Sequence, residues 1–103
     1  MRRGDVWWVA IPDEQPRPYV ILTRPEAIAG LEKIVAAPAT RTIRGIATEV
    51  QVGPDDGMRV DSVINLDGVT VIPKEFLHDR IATLGPHKMH EVCAALDKAT
   101  GCD

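Results

Sequence analysis

The sequence predicts a mainly β domain of the α+β kind: a small, strongly bent antiparallel sheet or partial barrel packed on one C-terminal amphipathic helix. Three observations carry that prediction. Short runs of β-forming residues alternate with Gly, Pro and Asp turn clusters from residue 5 to residue 84. Only one long helical periodicity appears, and it closes the chain. The 103 residues, 45% of them apolar and without internal repeat, suit one compact core, so a single domain over 1–103 is expected.

The elements follow in order. Asp5-Val-Trp-Trp-Val-Ala-Ile11 reads as a strand that Pro12 ends, and its adjacent tryptophans Trp7 and Trp8 must face opposite sides. After the polar turn 13–16, Arg17 to Thr23 forms a second strand with Pro18 near its start, where a missing N–H does least harm. Thr23-Arg24-Pro25-Glu26 has the spacing of a capping box and predicts a short helical turn. Lys33 to Pro38 and the alternating run Ile46 to Val52 are two further strands, the second ended by the turn residues Gly53 to Gly57. Asp61 to Leu66 and Val69 to Ile72 flank Asp67-Gly68, which predicts a hairpin. Pro73 to His78 suits one helical turn and Arg80 to Leu84 a last strand. From Pro86, Met89, Val92, Cys93 and Leu96 recur at helical spacing, and Gly101 stands where a helix stops.

Composition limits the function classes. The opening residues carry no segment long enough for a signal peptide or membrane span, and two cysteines, Cys93 and Cys102, do not make a disulfide scaffold, so the cytoplasm is the expected compartment. The net charge of −3 hides an asymmetry: residues 1–60 hold eight Lys or Arg and eight Asp or Glu, residues 61–103 four and seven. A local basic surface on an acidic protein is therefore compatible with a phosphate-bearing partner. There is no Gly-rich phosphate loop, no Cys-x-x-Cys pair and no nucleophile elbow, so no cofactor is expected. His87 and His90 are three apart on the closing helix without a third ligand nearby, and His78 stands alone; both sites read as solvated surface, and no metal is expected.

What remains are two segments rich in cations and hydroxyls, Arg17-Pro18 and Ala37 to Arg44. With Arg3-Gly4-Asp5-Val6-Trp7 before them, and Asp61 to Asp67, Ile72 to Glu75, Arg80 to Leu84 and the closing helix after them, their order and spacing resemble the MazF/PemK toxins over nearly the whole chain. The resemblance implies an SH3-like barrel that forms a homodimer. It further implies an endoribonuclease that cleaves single-stranded RNA at short sequences unless a cognate antitoxin peptide covers the site. Within the family, the arginine of the Arg-Pro element and the threonine after the Ala-Pro element act in cleavage; they match Arg17 and Thr40.

The chemistry suits such a division of labour. RNA supplies its own nucleophile, the 2′-hydroxyl, so the protein has to align it with the leaving 5′-oxygen and stabilise the phosphorane, giving 2′,3′-cyclic phosphate and 5′-hydroxyl ends. The forked guanidinium of Arg17 fits phosphate oxygens, and Thr40 offers one further donor. Against these stand plainer readings: Arg17 paired with Glu14 on the surface, and Thr40 as a turn hydroxyl. Gln15, Arg41, Arg44, Asn65 and Asp67 are the candidate RNA-contacting residues, although the PemK branch has an arginine where Asn65 stands and the Asp67-Gly68 context equally suits a simple turn. The rivals are a non-catalytic binder resembling the CcdB toxins of DNA gyrase, against which the presence of both Arg17 and Thr40 speaks, and a degenerate module that binds only antitoxin.

Overall fold

The computed structural model describes residues 1–102; Asp103, at the end of the expected domain, lies outside the described residues. The elements run β1 (Asp5–Val9), β2 (Arg17–Ile21), α1 (Pro25–Ile28), β3 (Lys33–Thr40), β4 (Glu49–Val52), β5 (Ser62–Asn65), β6 (Thr70–Pro73), β7 (Leu77–Thr83) and α2 (Pro86–Thr100). Short 3-10 turns occupy Pro54–Asp56, Leu66–Gly68 and Lys74–Phe76. No helix of the described residues is long and apolar enough to cross a membrane.

All pairings are antiparallel, in the order β4-β5-β3-β2-β1-β7, with β6 also on β3. The sheet stays open, with β4 and β7 as its end strands. Its pivot is β3. One edge of β3 pairs with β2, while the other takes β6 along Lys33 to Ala36 and β5 along Ala39 and Thr40. The strands on either side of Asp67-Gly68 are therefore not the hairpin the sequence predicts: β5 and β6 run end to end along the same edge of β3. The reason is local. The Asn65 side chain accepts from the Asp67 amide at 3.1 Å and starts a 3-10 turn, and Gly68 passes so close to β3 that a Cβ there would meet Pro38 Cγ at 2.9 Å. A glycine is needed for that approach rather than for a tight reversal.

Strand alternation builds two cores, one on each face of the sheet. Val6, Val20, Ala37, Ala39, Val50, Val52, Ile64 and Leu66 pack beneath α2, which contributes Val92 and Ala95. Val9, Tyr19, Ile21, Ile34, Ala36 and Ile72 pack with Ile28 of α1 on the other face. Each fully buried Val, Ile or Leu adds about 1.5–3 kcal/mol over leaving it exposed, so these faces fix which side of every strand looks inward. Trp7 joins the second core and Trp8, 40% exposed, faces away from it, as adjacent strand residues must.

Other expectations shift at their edges. β4 starts at Glu49 rather than Ile46, because the Glu49 carboxylate collects the amides of Arg44 (2.9 Å) and Gly45 (3.0 Å) and holds the preceding residues in a loop. β3 continues through Pro38 to Thr40, and β7 begins already at Leu77, shortening the predicted turn to Lys74–Phe76. The capping box does not form: Arg24 is the N-cap of α1 without a side-chain bond, and Thr23, buried, instead accepts from the Val35 amide at 2.8 Å. Linking β3 to the end of β2 outweighs a cap on a four-residue helix. The closing helix forms as the periodicity predicts, with Pro86 in its first turn and Gly101 left-handed (φ 67°) as its stop. Cys93 and Cys102 are both free thiols, and Cys93 accepts from the Arg3 guanidinium at 3.2 Å.

Asp5 ties the N-terminus to β7 and makes acid stability testable. It is 1% exposed, and its carboxylate accepts from the Thr83 hydroxyl at 2.8 Å and the Arg2 amide at 2.9 Å. Burial alone would raise its pKa, but those hydrogen bonds outweigh it and hold the carboxyl below the ordinary aspartate value. A carboxylate depressed in the folded state stabilises the fold above its unfolded pKa and loses that contribution as pH falls through the folded pKa. The urea midpoint is thus expected to drop between about pH 5 and pH 2. The drop should be smaller in Asp5→Asn, and an identical pH profile for the two proteins would contradict this role.

Candidate functional site

The β2–β3 ladder brings the two candidate catalytic residues together. Its register pairs Ile21 with Ala36, Val20 with Ala37 and Tyr19 with Pro38. The ladder stops there; continued two residues, to where both strands end, its register would set Arg17 across from Thr40. They open into a groove of about 710 Å³ lined by β1, β2, β3 and β7 and by the segment after Gly57. That segment crosses toward β7, with Gly57 against Ala82 and Met58 buried in the first core, so it roofs the space between strands far apart in the sheet order.

The groove is basic although the protein is acidic. Arg17, Arg41 and Arg59 line it together with one carboxylate, Asp79, a formal excess of two positive charges (three minus one). None of the three guanidiniums forms an ion pair or a hydrogen bond among the described residues. The pairing of Arg17 with Glu14 that sequence reasoning weighed is not formed. Tyr19, two residues along the strand from Arg17, has its phenol pKa raised by burial, with the charge of Arg17 opposing and that of Glu14 adding. Thr40 is half-buried, and its oxygen accepts from the Thr42 amide at 3.2 Å, as the turn reading expects. Its own proton remains free to donate into the groove.

The candidate RNA-contacting residues divide into two groups. Gln15 and Arg41 line the groove. Arg44, Asn65 and Asp67 do not; they anchor the 41–48 loop that carries Arg41. The Arg44 guanidinium bonds Glu49 at 2.9 Å, and Asp67 accepts from the Thr48 hydroxyl at 2.6 Å while Asn65 caps the Asp67 turn. Glu49, whose side chain is 2% exposed, is raised by burial yet held below the ordinary glutamate value by the guanidinium and backbone amides around it. These three residues therefore shape the rim rather than face the groove floor.

Trp8, Arg59 and Asp79 also line the groove, although none was among the candidate site residues. The sequence left open which of Trp7 and Trp8 faces away, there to stack on a base or, more readily, to pack at a dimer interface; the structure turns Trp8 outward. Arg59 follows dense turn chemistry, and nothing local shows that its loop returns over β1 and β2. Asp79 enters because β7 pairs with β1, setting Trp8 opposite Asp79. The histidines stay outside: His78 and His90 are exposed and His87 pairs with Glu91 along the helix.

Comparison with known proteins agrees with this geometry. Residues 2–100 match the family model of PemK-like, MazF-like toxins of type II toxin–antitoxin systems. The chain is 39% identical over 101 residues to the probable endoribonuclease MazF5 of Mycobacterium tuberculosis, covering 97% of this chain and 93% of that protein. It is 34% identical over 103 residues to the probable endoribonuclease MazF2 of the same organism, covering 99% and 100%. Among solved structures, the Mycobacterium tuberculosis toxin MazF-mt6 superposes with a TM-score of 0.89 at 30% identity, over 96% of this chain and 98% of that one. A mycobacterial endoribonuclease in complex with its cognate antitoxin superposes with a TM-score of 0.90 at 26% identity, over 100% and 97%. With its bent seven-stranded sheet, its closing helix and the match spanning all but the chain ends, this protein belongs to the family of PemK-like, MazF-like toxins of type II toxin–antitoxin systems.

Proposed function

We propose that this protein is a toxin endoribonuclease that cuts single-stranded RNA within the Arg17–Thr40 groove, without a metal, and is neutralised by a cognate antitoxin. The observation that carries the reading is the gathering in one groove of an acidic protein of a donor hydroxyl and three guanidiniums that have no partner among the described residues. Free guanidiniums in a concave site attract a polyanion and leave their donors for phosphate oxygens. Arg17 clamps the scissile phosphate and stabilises the charge that builds on it; Thr40 donates to a non-bridging oxygen. The 2′-oxygen attacks phosphorus as its proton passes to water, the bond to the 5′-oxygen breaks, and the leaving oxygen takes a proton from Arg17, which regains one from solvent. Arg41 and Arg59 grip flanking phosphates and set the register of the strand.

The antitoxin follows from the same charges. An acidic, partly disordered peptide that orders on binding would cover the arginines and block the groove. The solved relative bound to its cognate antitoxin supports such a partner. A homodimer in the cytoplasm completes the reading, supported by an exposed apolar pair, Val35 and Val71, which are register partners across β3 and β6 and are 37% and 57% exposed.

The test is incubation of the purified protein with a long single-stranded RNA in excess chelator, followed by mapping of the fragment ends. Discrete cuts with 5′-hydroxyl and 2′,3′-cyclic phosphate ends are expected. Intact RNA from folded protein would overturn the nuclease reading, and cutting that requires added divalent metal would overturn the mechanism.

A further inference from the structure

We propose that Trp8 and Asp79 form a guanine-recognition subsite beside the Arg17–Thr40 centre, receiving one guanine of a single-stranded RNA. The inference rests on the endoribonuclease reading and names a base that the groove selects.

The two residues are cross-strand partners of β1 and β7, and both line the groove. Trp8 presents an indole that is 40% exposed inside a concave site, where a large π-face is a platform for an unstacked base. Asp79 is the only carboxylate among the lining residues and has no side-chain hydrogen bond or ion pair among the described residues. A carboxylate in a groove that attracts phosphates weakens that attraction unless the ligand brings donors to meet it. Ionised, it only accepts, through two oxygens side by side.

Among the four RNA bases, guanine alone offers two adjacent donors, N1–H and the N2 amino group, on its Watson–Crick edge. Adenine and cytosine place a ring acceptor beside their amino group, and uracil flanks its single N–H with two carbonyls. The aspartate therefore accepts two bonds side by side from guanine, whereas each of the others offers it one donor beside a lone pair.

Strand position favours base reading over proton transfer. Trp8 pairs with Asp79 on one side and with Pro18 on the other, so Asp79 and Pro18 stand two strand spacings apart, about 10 Å along the sheet. A general base has to come within about 3 Å of the 2′-hydroxyl at the phosphate that Arg17 holds. An aspartate on β7 is placed for a neighbouring nucleotide instead.

Short 2′-O-methyl oligonucleotides, which lack the nucleophile, separate recognition from cleavage. The probes are a uracil heptamer with a central guanine and the same heptamer with inosine, which lacks the N2 amino group, measured by fluorescence polarisation at fixed salt. The guanine probe should bind about tenfold tighter than the inosine probe. Asp79→Asn should remove that preference, Trp8→Ala should weaken guanine binding about tenfold, and Trp8→Phe should restore most of it. Equal binding of the two probes by the wild type, or a preference that survives Asp79→Asn, would overturn the subsite; thermal melts of the variants exclude loss of fold as the cause. Cleavage of unmodified RNA at sites without a guanine at a fixed position would overturn the subsite and leave the nuclease reading standing. Selective guanine binding by a protein that does not cut would support the subsite and overturn the nuclease reading alone.

Discussion

Arg17→Ala is expected to lower the rate of RNA cleavage by about a hundredfold to a thousandfold, the usual loss when one donor to a charge-bearing transition state is removed. The melting temperature should stay within the range of a neutral surface change, about 0.5 kcal/mol, because the guanidinium is exposed and holds no partner among the described residues. The separation of these two readouts is what makes the variant informative. Arg17→Lys keeps the charge but loses the fork that bonds two phosphate oxygens at once, so it should recover only part of the rate. A single-turnover assay under saturating RNA reads the chemical step directly. Full activity in Arg17→Ala would remove this residue from the mechanism. A lysine variant as active as the wild type would reduce its role to general attraction.

The second large effect concerns stability. Ile64 is fully buried, and it pairs with Val50 on β4 and Ala39 on β3, next to Val63, the register partner of Thr40. Ile64→Ala should cost about 2–5 kcal/mol through lost burial and the cavity left behind. For a domain of this size that is a large part of a total stability of roughly 5–15 kcal/mol, and a fall in melting temperature of roughly 10–30 °C is expected. Ile64→Val removes one methylene and should cost only about 0.5–1.5 kcal/mol. A denaturant titration of the three proteins checks the order. A loss below about 1 kcal/mol for the alanine variant would mean that this crossing point is not tightly packed. A destabilised but folded Ile64→Ala protein should also cut RNA more slowly, since Ala39 precedes Thr40 on the strand it supports.

Local signals settled much of this architecture because they act over few residues. Proline in the first turn and glycine after the last specify α2 within one segment, and the turn residues 53–57 end β4 without outside help. Alternation in β1 already requires that one tryptophan be buried and the other face away. The motif positions Arg17 and Thr40 were legible through family resemblance, and the ladder brings them to the same sheet end. The same local rules misled where a distant strand offered a better bond. Thr23 gave up its cap to serve Val35, and Asp67-Gly68 became an interruption along β3 because Pro38 of that strand leaves no room for a side chain.

The amino-acid sequence by itself thus determined a single mainly β domain with a closing helix, and it marked the two residues on which the chemistry is proposed to turn. Only the tertiary structure decided the rest: that β5 and β6 share one edge of β3, that Arg44, Asn65 and Asp67 secure a loop instead of lining the groove, and that Trp8, Arg59 and Asp79 do line it. The physical reason is separation along the chain. Periodicity and turn chemistry report on neighbours a few residues apart, whereas the groove is closed by β7 pairing with β1 and by a loop crossing the sheet, contacts whose partners lie tens of residues away and are chosen by burial of whole faces.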